Sequence, residues 1–351
     1  MDKSAKYTYI SVLKILAIFC ILYFHNGVYF PDYFGKSGYW FYLASTVLSY
    51  LGVPMFFMIS GALLLNREES YGTLLKKRIL KYAAALVVFS AVCYVYGIRT
   101  NLSALNLRFF VDGLLSFGHS SHLWYLYAYL AFLFMLPFLR KLAKSMTNTD
   151  FLYLLIIYFL FKMLPVFQFF AWRDNNLINA DFRVAFFAAL DVFAYPLFGY
   201  YMHCRTSDEL QNAKAMPVLI ISGLAFVIAE MLLTNIKLKS GTESPEPLMQ
   251  FGYTFAPFFT AAVFLAVKAL FEKHPWSEKA ADILKNVSGC VFGVYLLQEI
   301  LTESTNGVYT FLISHNFGPY WATIIWLFCA LVLGIASTYV LKLIPVIKEL
   351  L

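Results

Sequence analysis

Long apolar segments constrain this chain more than any other feature of its sequence. An α-helix rises ~1.5 Å per residue, so about 20 apolar residues cross the ~30 Å hydrocarbon core of a bilayer. Only 13% of the 351 residues are charged and 61% are hydrophobic, whereas about a quarter of residues are charged in soluble domains. The sequence therefore predicts an all-α polytopic membrane protein with about ten transmembrane helices. The predicted spans are 8–28, 43–65, 79–98, 122–139, 151–170, 185–203, 216–234, 251–271, 288–303 and 321–344.

The basic residues predict the orientation of these spans. An even number of spans puts both termini on one side. Of the 27 lysines and arginines, 18 fall on the side of the N-terminus, eight fall on the opposite side and Lys14 lies inside the first span. Cytoplasmic loops carry the excess of positive charge, so both termini are predicted to be cytoplasmic. The first segment is longer than the apolar region of a signal peptide and is interpreted as a retained span. A single transmembrane domain over 1–351 is predicted, with no appended soluble domain.

Composition also excludes several classes of function. The formal net charge of +7 is explained by loop asymmetry and anionic lipid headgroups, so nucleic-acid binding is rejected. The five cysteines lie within or at the ends of apolar segments and show no Cys-x-x-Cys spacing. Packing is therefore their predicted role, and neither a disulfide framework nor a metal site is expected.

Two local patterns predict departures from straight spanning helices. Pro54 lies inside the second span, where it must kink or break the helix, while Gly52 and Gly61 allow neighbouring helices to approach closely. The run at 105–118, LNLRFFVDGLLSFG, has apolar residues at helical spacing but is too short and too charged to span. It is predicted to form an amphipathic helix in the outer interface.

The first span carries two ionisable side chains, Lys14 and His25. At ~100° per residue, their separation of eleven residues is about three turns, which puts both on one helix face roughly 16 Å apart. An ionisable residue inside the membrane is a functional-site hypothesis by default, because exposing it to lipid costs several kcal/mol on most scales. The alternative is that Lys14 extends to the interface and that His25 is a neutral packing residue.

Further polar groups fall at the depth of His25. Asp191, Glu230, Gln298 and Glu299 are all placed in the outer half of their spans by position along the helix. A general base needs a pKa near the working pH and a group that orients its second nitrogen. His25 is therefore the candidate base, with Asp191 and Glu230 as candidate partners. The same residues also fit a proton relay in a transporter.

A basic segment precedes the third span. Within LLKKRILKY, Lys77 and Lys81 are four residues apart on one helical face and Arg78 adjoins it. This arrangement suits the phosphate groups of a nucleotide-like cofactor. Charge that only sets topology is the alternative explanation.

At these residues the chain resembles the acyltransferase 3 family of membrane acyltransferases over nearly its whole length. The resemblance is carried by Lys14 and His25, which have ten residues between them, and by four longer segments: GVPMFFMISGALLL, LLKKRILKY, HLWYLYAYLAFLFMLPFLR and SGCVFGVYLLQ. The chain departs from the family pattern twice. Lys14 replaces the usual arginine, which keeps the charge but loses the planar fork, and Gln298 stands where many members have a histidine.

The resemblance implies ten helices, acyl-CoA (acetyl-CoA or another acyl-CoA) as cytoplasmic donor and a hydroxyl of an extracytoplasmic glycan or cell-envelope polysaccharide as acceptor, in a bacterial-type cytoplasmic membrane. On this interpretation Lys77, Arg78, Lys81 and Lys14 bind the donor, and His25 takes the proton of the acceptor hydroxyl. The acceptor is predicted to bind at the outer mouth, where the candidates are His122, Trp124, Tyr125, Gln298 and Glu299. Interfacial aromatic belts account for Trp124 and Tyr125 about as well.

A second function of a different class remains open from the sequence alone. Lys14, His25, Asp191 and Glu230 also fit a proton or substrate path in a secondary transporter or polysaccharide exporter. No convincing internal repeat and no matched pair of broken helices support that alternative.

Overall fold

The computed structural model of the protein describes residues 7–116, 119–172, 180–210, 212, 214–240 and 254–351. These residues are almost entirely helical and contain no β-strand. The predicted outer connections at 171–184 and 235–250 lie partly outside the described residues. The α-helices, in chain order, are α1 Thr8–Asn26, α2 Tyr39–Ser49, α3 Gly52–Leu64, α4 Tyr71–Leu74, α5 Leu80–Gly97, α6 Leu107–Leu115, α7 Trp124–Ser145, α8 Asn148–Trp172, α9 Ala180–Cys204, α10 Ser207–Leu210, α11 Ala215–Lys239, α12 Ala256–Lys273, α13 Glu278–Gly289, α14 Val291–Ser314, α15 Pro319–Leu341 and α16 Pro345–Leu350.

Six helical segments in the described part of the chain are long and apolar enough to cross a membrane, or seven if the bent pair α13 and α14 is one span. The two helices of that pair meet at an angle of 49°. The prediction of an all-helical membrane protein is confirmed. Helices α8 and α9, of 25 residues each, and α12, of 18 residues, coincide with the other three predicted spans. The count of ten spans and the cytoplasmic placement of the termini stay predictions.

The chain divides into two compact units. Unit 1 comprises Met1–Arg67 and Phe138–Lys285, and unit 2 comprises Glu68–Pro137 and Asn286–Leu351. The boundary inside α7 falls at Pro137, the proline within that helix. A single domain over the whole chain stays a prediction.

Close helix contacts at glycines form the core of unit 1. A Cβ on Gly61 of α3 would lie 1.9 Å from the carbonyl oxygen of Pro196 in α9, and a Cβ on Gly199 would lie 1.9 Å from that of Met58. A Cβ on Gly52 would lie 2.6 Å from Ile21 of α1. The backbones of α1, α3 and α9 therefore pack together at distances that only glycine permits, as small residues allow in membrane helices.

The second predicted span is broken, as its proline indicated. Helix α2 ends at Ser49 and α3 begins at Gly52, so Pro54 occupies the first turn of α3. A proline is tolerated there because the first turn has no intrahelical partners for its N–H groups. The predicted amphipathic segment forms α6, and the Asn106 side chain caps it by accepting a hydrogen bond from the Phe109 N–H at 3.1 Å.

In unit 2, α14 and α15 pack through small residues. A Cβ on Gly293 of α14 would lie 2.4 Å from the Thr338 side chain of α15, and one on Gly334 would lie 2.7 Å from Leu301. The indole Nε1–H of Trp326 also donates to the Thr305 hydroxyl at 3.0 Å across this pair. Tertiary hydrogen bonds as well as packing therefore fix the position of α14.

Four basic residues that entered the topology count are buried. Arg140 and Lys268 were counted on the cytoplasmic side, and Lys162 and Lys237 on the outer side; their exposed fractions are 8%, 1%, 7% and 1%. Lys162 and Lys268 lie inside the predicted spans 151–170 and 251–271, and Arg140 and Lys237 lie within three residues of a span end, so all four side chains belong to helices. Since two charges leave each side, the predicted bias of charge persists.

Candidate active site

Helix α1 carries the lysine and histidine singled out by the sequence. It runs without interruption from Thr8 to Asn26, so regular α-helical geometry puts Lys14 and His25 on one face roughly 16 Å apart. Lys14 is partly buried, whereas His25 lies in the last turn and is exposed within the protein. The imidazole therefore lies at the end of the helix.

The end of α1 is fixed next to His25. Gly27 adopts an extended conformation with φ −66° and ψ 168°, and its N–H donates to the Tyr23 carbonyl at 2.6 Å. A Cβ at Gly27 would lie 2.5 Å from that carbonyl oxygen. The Phe24 ring meets the imidazole of His25 edge to face, with centroids 5.2 Å apart, and contacts Tyr50 on its other side. These contacts hold the last turn of the helix in place.

Asp191, a predicted partner of the base, takes part in a buried network between α8 and α9. Its carboxylate is 2.9 Å from the Lys162 ammonium and accepts a hydrogen bond from the Tyr158 hydroxyl at 2.7 Å. The Tyr158 hydroxyl also lies 3.0 Å from that of Tyr195. A carboxylate that compensates a buried lysine has a structural role of its own. Its predicted role as partner of His25 stays a prediction.

Glu230, the second predicted carboxylate, lies on α11 and contacts the beginning of α12. It is fully buried, and its Oε2 accepts a hydrogen bond from the Phe255 N–H at 2.7 Å. Phe255 is the residue before α12, so the acidic side chain satisfies a backbone donor at the positive end of a helix. Its predicted catalytic role likewise stays a prediction.

The C-terminal end of α9 is held by residues that the sequence interpretation missed. The buried Lys268 ammonium donates to the carbonyl oxygens of Met202 at 2.8 Å and His203 at 3.0 Å. The Tyr9 hydroxyl lies 2.5 Å from Nδ1 of His203. A cation at the carboxyl end of a helix satisfies orphan carbonyls and complements the dipole. The only sequence signal was a lysine within an apolar span.

In unit 2, the basic segment is not a regular α-helix. Residues Leu75–Ile79 form a π-helical turn between α4 and α5, and such turns occur frequently at functional sites. The prediction that Lys77 and Lys81 share a face assumed α-helical spacing, and it stays a prediction. Lys77 is exposed and Lys81 is half-buried.

Arg78 has a partner in the same unit. Its Nε donates to Oε1 of Glu69 at 2.9 Å, and its second terminal nitrogen donates to Oε2 at 3.1 Å. A forked arginine–carboxylate pair of this kind is geometrically specific. It orders the start of the basic segment, where Lys76 and Lys77 are exposed.

Two of the predicted acceptor-binding residues, His122 and Glu299, come together in unit 2. His122 is buried and its Nδ1 lies 2.5 Å from the Ser120 hydroxyl, which donates to Oε2 of Glu299 at 2.5 Å. From α14, the Tyr295 hydroxyl donates to the His122 carbonyl at 2.5 Å. Gln298 lies on the same helix and is 3% exposed. Two distant segments of the chain are therefore joined at this point, and Ser120 is the member that sequence reasoning missed.

Aromatic rings adjoin the polar cluster. Tyr125 stacks on Tyr129 with centroids 5.7 Å apart and meets Tyr295 edge to face at 5.6 Å. Trp124 precedes it and is 44% exposed. A half-exposed indole beside hydrogen-bonding groups is suited to the apolar face of a sugar ring.

The predicted site residues thus form separate groups within each unit. Lys14 and His25 share α1, Asp191 joins Lys162, and Glu230 joins Phe255. His122 and Glu299 are joined by Ser120, and the basic segment belongs to the same unit. Among the residues that the structure describes, no group of three or more His, Cys, Asp or Glu side chains is arranged to hold a metal ion, and all five cysteines are free.

The long apolar helices define a multi-pass membrane protein, with ionisable groups buried between them. The chain belongs to the acyltransferase 3 family: the family model, described as an acyltransferase domain, matches residues 7–343. The match covers both units and every predicted site residue, and it confirms the resemblance carried by the motifs. Comparison with curated proteins and with solved structures gives no match.

Proposed function

We propose that the protein is an integral membrane O-acyltransferase of a bacterial-type cytoplasmic membrane. It moves an acyl group, with acetyl as the first candidate, from cytoplasmic acyl-CoA to a hydroxyl of an extracytoplasmic glycan. The observation that carries this proposal is the family match over residues 7–343, together with Lys14 and His25 on one uninterrupted helix. The pair lies within the matched region, at the spacing of the family motif.

On the donor side, the basic segment of unit 2 is proposed to bind the phosphate groups of coenzyme A. The exposed Lys77 is free of helix packing, and Lys81 lies half-buried further along the same segment. Arg78, which Glu69 orients, contributes charge and a guanidinium N–H that its fork geometry leaves for an anion. Lys14 is proposed to bind the donor within the membrane.

The chemistry is proposed to depend on His25. Its neutral imidazole takes the proton of the acceptor hydroxyl as that oxygen attacks the thioester carbonyl carbon. A C–O bond forms, the C–S bond breaks, and the coenzyme thiolate takes the proton from the imidazolium as it leaves. In the alternative order of steps, His25 first takes the acyl group from the thioester as a covalent acyl-histidine, and the alcohol then attacks that intermediate.

The acceptor is proposed to bind at the polar cluster of unit 2. His122, Gln298 and Glu299 supply hydrogen-bonding groups, and Trp124 and Tyr125 supply aromatic faces. Sugars combine hydroxyl groups with apolar C–H faces, so such a mixed surface fits them better than it fits a lipid tail.

Mass analysis of surface glycans tests this proposal. Cells with the active protein should carry a glycan mass increment that names both the acyl group and the acceptor. The increment should be lost in cells that carry the His25→Ala variant. Purified wild-type protein should also gain thermal stability from acetyl-CoA, by about 2.7 kcal/mol at a hundred times Kd. Unchanged glycans and no stabilisation at millimolar acetyl-CoA would instead support the transporter.

A further inference from the structure

Ser120 joins the buried His122 to Glu299, a carboxylate 179 residues further along the chain. We propose that this Glu299–Ser120–His122 relay holds the His122 proton on Nδ1, so that Nε2 accepts a hydrogen bond from a hydroxyl of a polyol acceptor. The inference rests on the proposed function, because the polyol is the acceptor of acyl transfer. Ser120 and Glu299 are positioning residues, and His122 is the residue that contacts substrate.

The direction of the relay follows from counting protons. A carboxylate only accepts hydrogen bonds, so the single Ser120 proton is donated to Oε2 of Glu299, 2.5 Å away. The Ser120 oxygen is then an acceptor towards Nδ1 of His122, also 2.5 Å away. Nδ1 therefore carries the ring proton, and in the neutral imidazole Nε2 carries the lone pair.

The protein holds the imidazole ring in one orientation. His122 is 4% exposed, its carbonyl accepts from the Tyr295 hydroxyl at 2.5 Å, and its ring meets the Tyr295 ring edge to face at 5.6 Å. The hydrogen bond made by one ring nitrogen sets which nitrogen of a histidine carries the proton. The contacts of His122 therefore leave Nε2 as the acceptor of the neutral ring.

Gln298 supplies an independent sign of a ligand. It is 3% exposed, and among the described residues neither its amide nitrogen nor its amide oxygen has a hydrogen-bond partner. Buried polar groups are nearly always paired, so each exception needs an explanation. Tyr295, Gln298 and Glu299 occupy positions i, i+3 and i+4 of α14, which places them on one face of that helix.

Together these groups define the chemistry of the ligand. A carboxamide offers one donor and one acceptor side by side, which matches two neighbouring hydroxyls, and Nε2 of His122 accepts from a hydroxyl. Glu299 at the other end of the relay is 56% exposed, so the cluster runs from solvent to the buried ring. A sugar with adjacent hydroxyls fits this arrangement, whereas a lone alcohol would leave Gln298 unpaired.

The tautomer is measured directly by nuclear magnetic resonance. Protein labelled with ¹⁵N-histidine in detergent at about pH 8 gives long-range ¹⁵N–¹H spectra, in which His122 is assigned by its loss in His122→Asn. We expect a protonated Nδ1 and an unprotonated Nε2, and the Ser120→Ala variant should lose this preference. A proton on Nε2 in the wild-type protein would overturn the inference.

Kinetics test the consequence for the acceptor. The assay uses acetyl-CoA and surface polysaccharide from cells that carry His25→Ala, which is unacylated under the proposed function. Ser120→Ala should raise the acceptor KM about tenfold, as expected for one lost hydrogen bond, and leave the acetyl-CoA KM within about twofold. Ser120→Thr, which keeps the hydroxyl, should restore the acceptor KM.

Two matched substitutions serve as controls. Ser116→Ala removes an exposed hydroxyl that donates to the Asp112 carbonyl. Glu303→Gln neutralises a half-exposed carboxylate of α14, the helix of Glu299, that pairs with Arg99. Both should leave the acceptor KM unchanged, whereas Glu299→Ala should raise it. Melting temperatures should match the wild type throughout.

The outcomes separate this inference from the proposed function. If the wild-type protein transfers acyl groups and Ser120→Ala has a wild-type acceptor KM, the relay is wrong and the proposed function stands. If Ser120→Thr is as impaired as Ser120→Ala, the serine is merely a packing residue and the inference is also wrong. If the wild-type protein transfers no acyl group to any surface polysaccharide, the proposed function fails whatever the tautomer.

Discussion

The ion pair between Lys162 and Asp191 gives a quantitative test of how unit 1 is held together. The two charges are 2.9 Å apart, and only 9% of the lysine and 25% of the aspartate side chain is exposed. Asp191→Ala leaves the ammonium buried without its counter-charge and removes an acceptor from Tyr158. Breaking a buried pair in this way costs about 3–5 kcal/mol.

The double variant Lys162→Met, Asp191→Leu removes both charges together. Apolar side chains of similar volume often replace a buried pair without loss of stability. We therefore expect stability near that of the wild type, so that the second substitution recovers the about 3–5 kcal/mol that breaking the pair costs. The hydroxyl pair of Tyr158 and Tyr195 remains in place in the double variant.

Thermal unfolding in detergent or nanodiscs measures these effects. With an unfolding entropy of ~2.1 cal/mol/K per residue, a loss of 3–5 kcal/mol lowers the Tm of a chain of this length by about 4–7 °C. Asp112→Ala is the control, since Asp112 is an exposed carboxylate 3.8 Å from an exposed Arg108, and its Tm should not change. A wild-type Tm for Asp191→Ala would refute the reasoning.

Acyl transfer by the double variant decides the second role predicted for Asp191. If the carboxylate serves the ion pair, the double variant is stable and retains transfer. If the carboxylate also orients the imidazole of His25, the double variant is stable but transfers little, since its fold is intact while the partner is gone.

Two further substitutions test the packing and the donor surface. Gly61→Ala places a methyl group 1.9 Å from the Pro196 carbonyl oxygen, so α3 and α9 must separate and stability should fall by about 1–3 kcal/mol or more. Thermal unfolding measures this loss, with Gly72→Ala as the control because a Cβ at Gly72 meets nothing within 4 Å. Equal Tm values for the two variants would contradict the prediction. Lys77→Gln should raise the acetyl-CoA KM roughly threefold to tenfold without a change in Tm, because one exposed charge–phosphate contact is lost. Lys141→Gln, at another exposed lysine, is its control, and an equal KM in both variants would place the donor phosphates elsewhere.

Local pattern predicted much of the architecture. The apolar segments gave the helices, Pro54 marked the break between α2 and α3, and Gly52 and Gly61 marked close helix contacts. Each of these signals is local, because it determines the structure of its own helix or of the residues next to it. Lys14 and His25 were found for the same reason, since both lie on one helix.

Contacts between distant segments could not be predicted in this way. Ser120 looks like an ordinary loop serine until the fold brings Glu299 to it. Lys162 lies inside a predicted span, but hydropathy does not show that an aspartate on the next helix faces it. The π-helical turn at Leu75–Ile79 could not be predicted from periodicity, because the segment has no compositional signal that separates it from an α-helix.

We propose that an acyl group passes from a donor on one side of the membrane to an alcohol on the other, with His25 as the general base. Proteoliposomes with radiolabelled acetyl-CoA confined inside and unacylated surface polysaccharide outside measure this directly. The wild-type protein oriented with its predicted cytoplasmic face inward should label the polysaccharide, and His25→Ala, folded with a wild-type Tm, should label none. Labelling by His25→Ala at the wild-type rate would contradict the account.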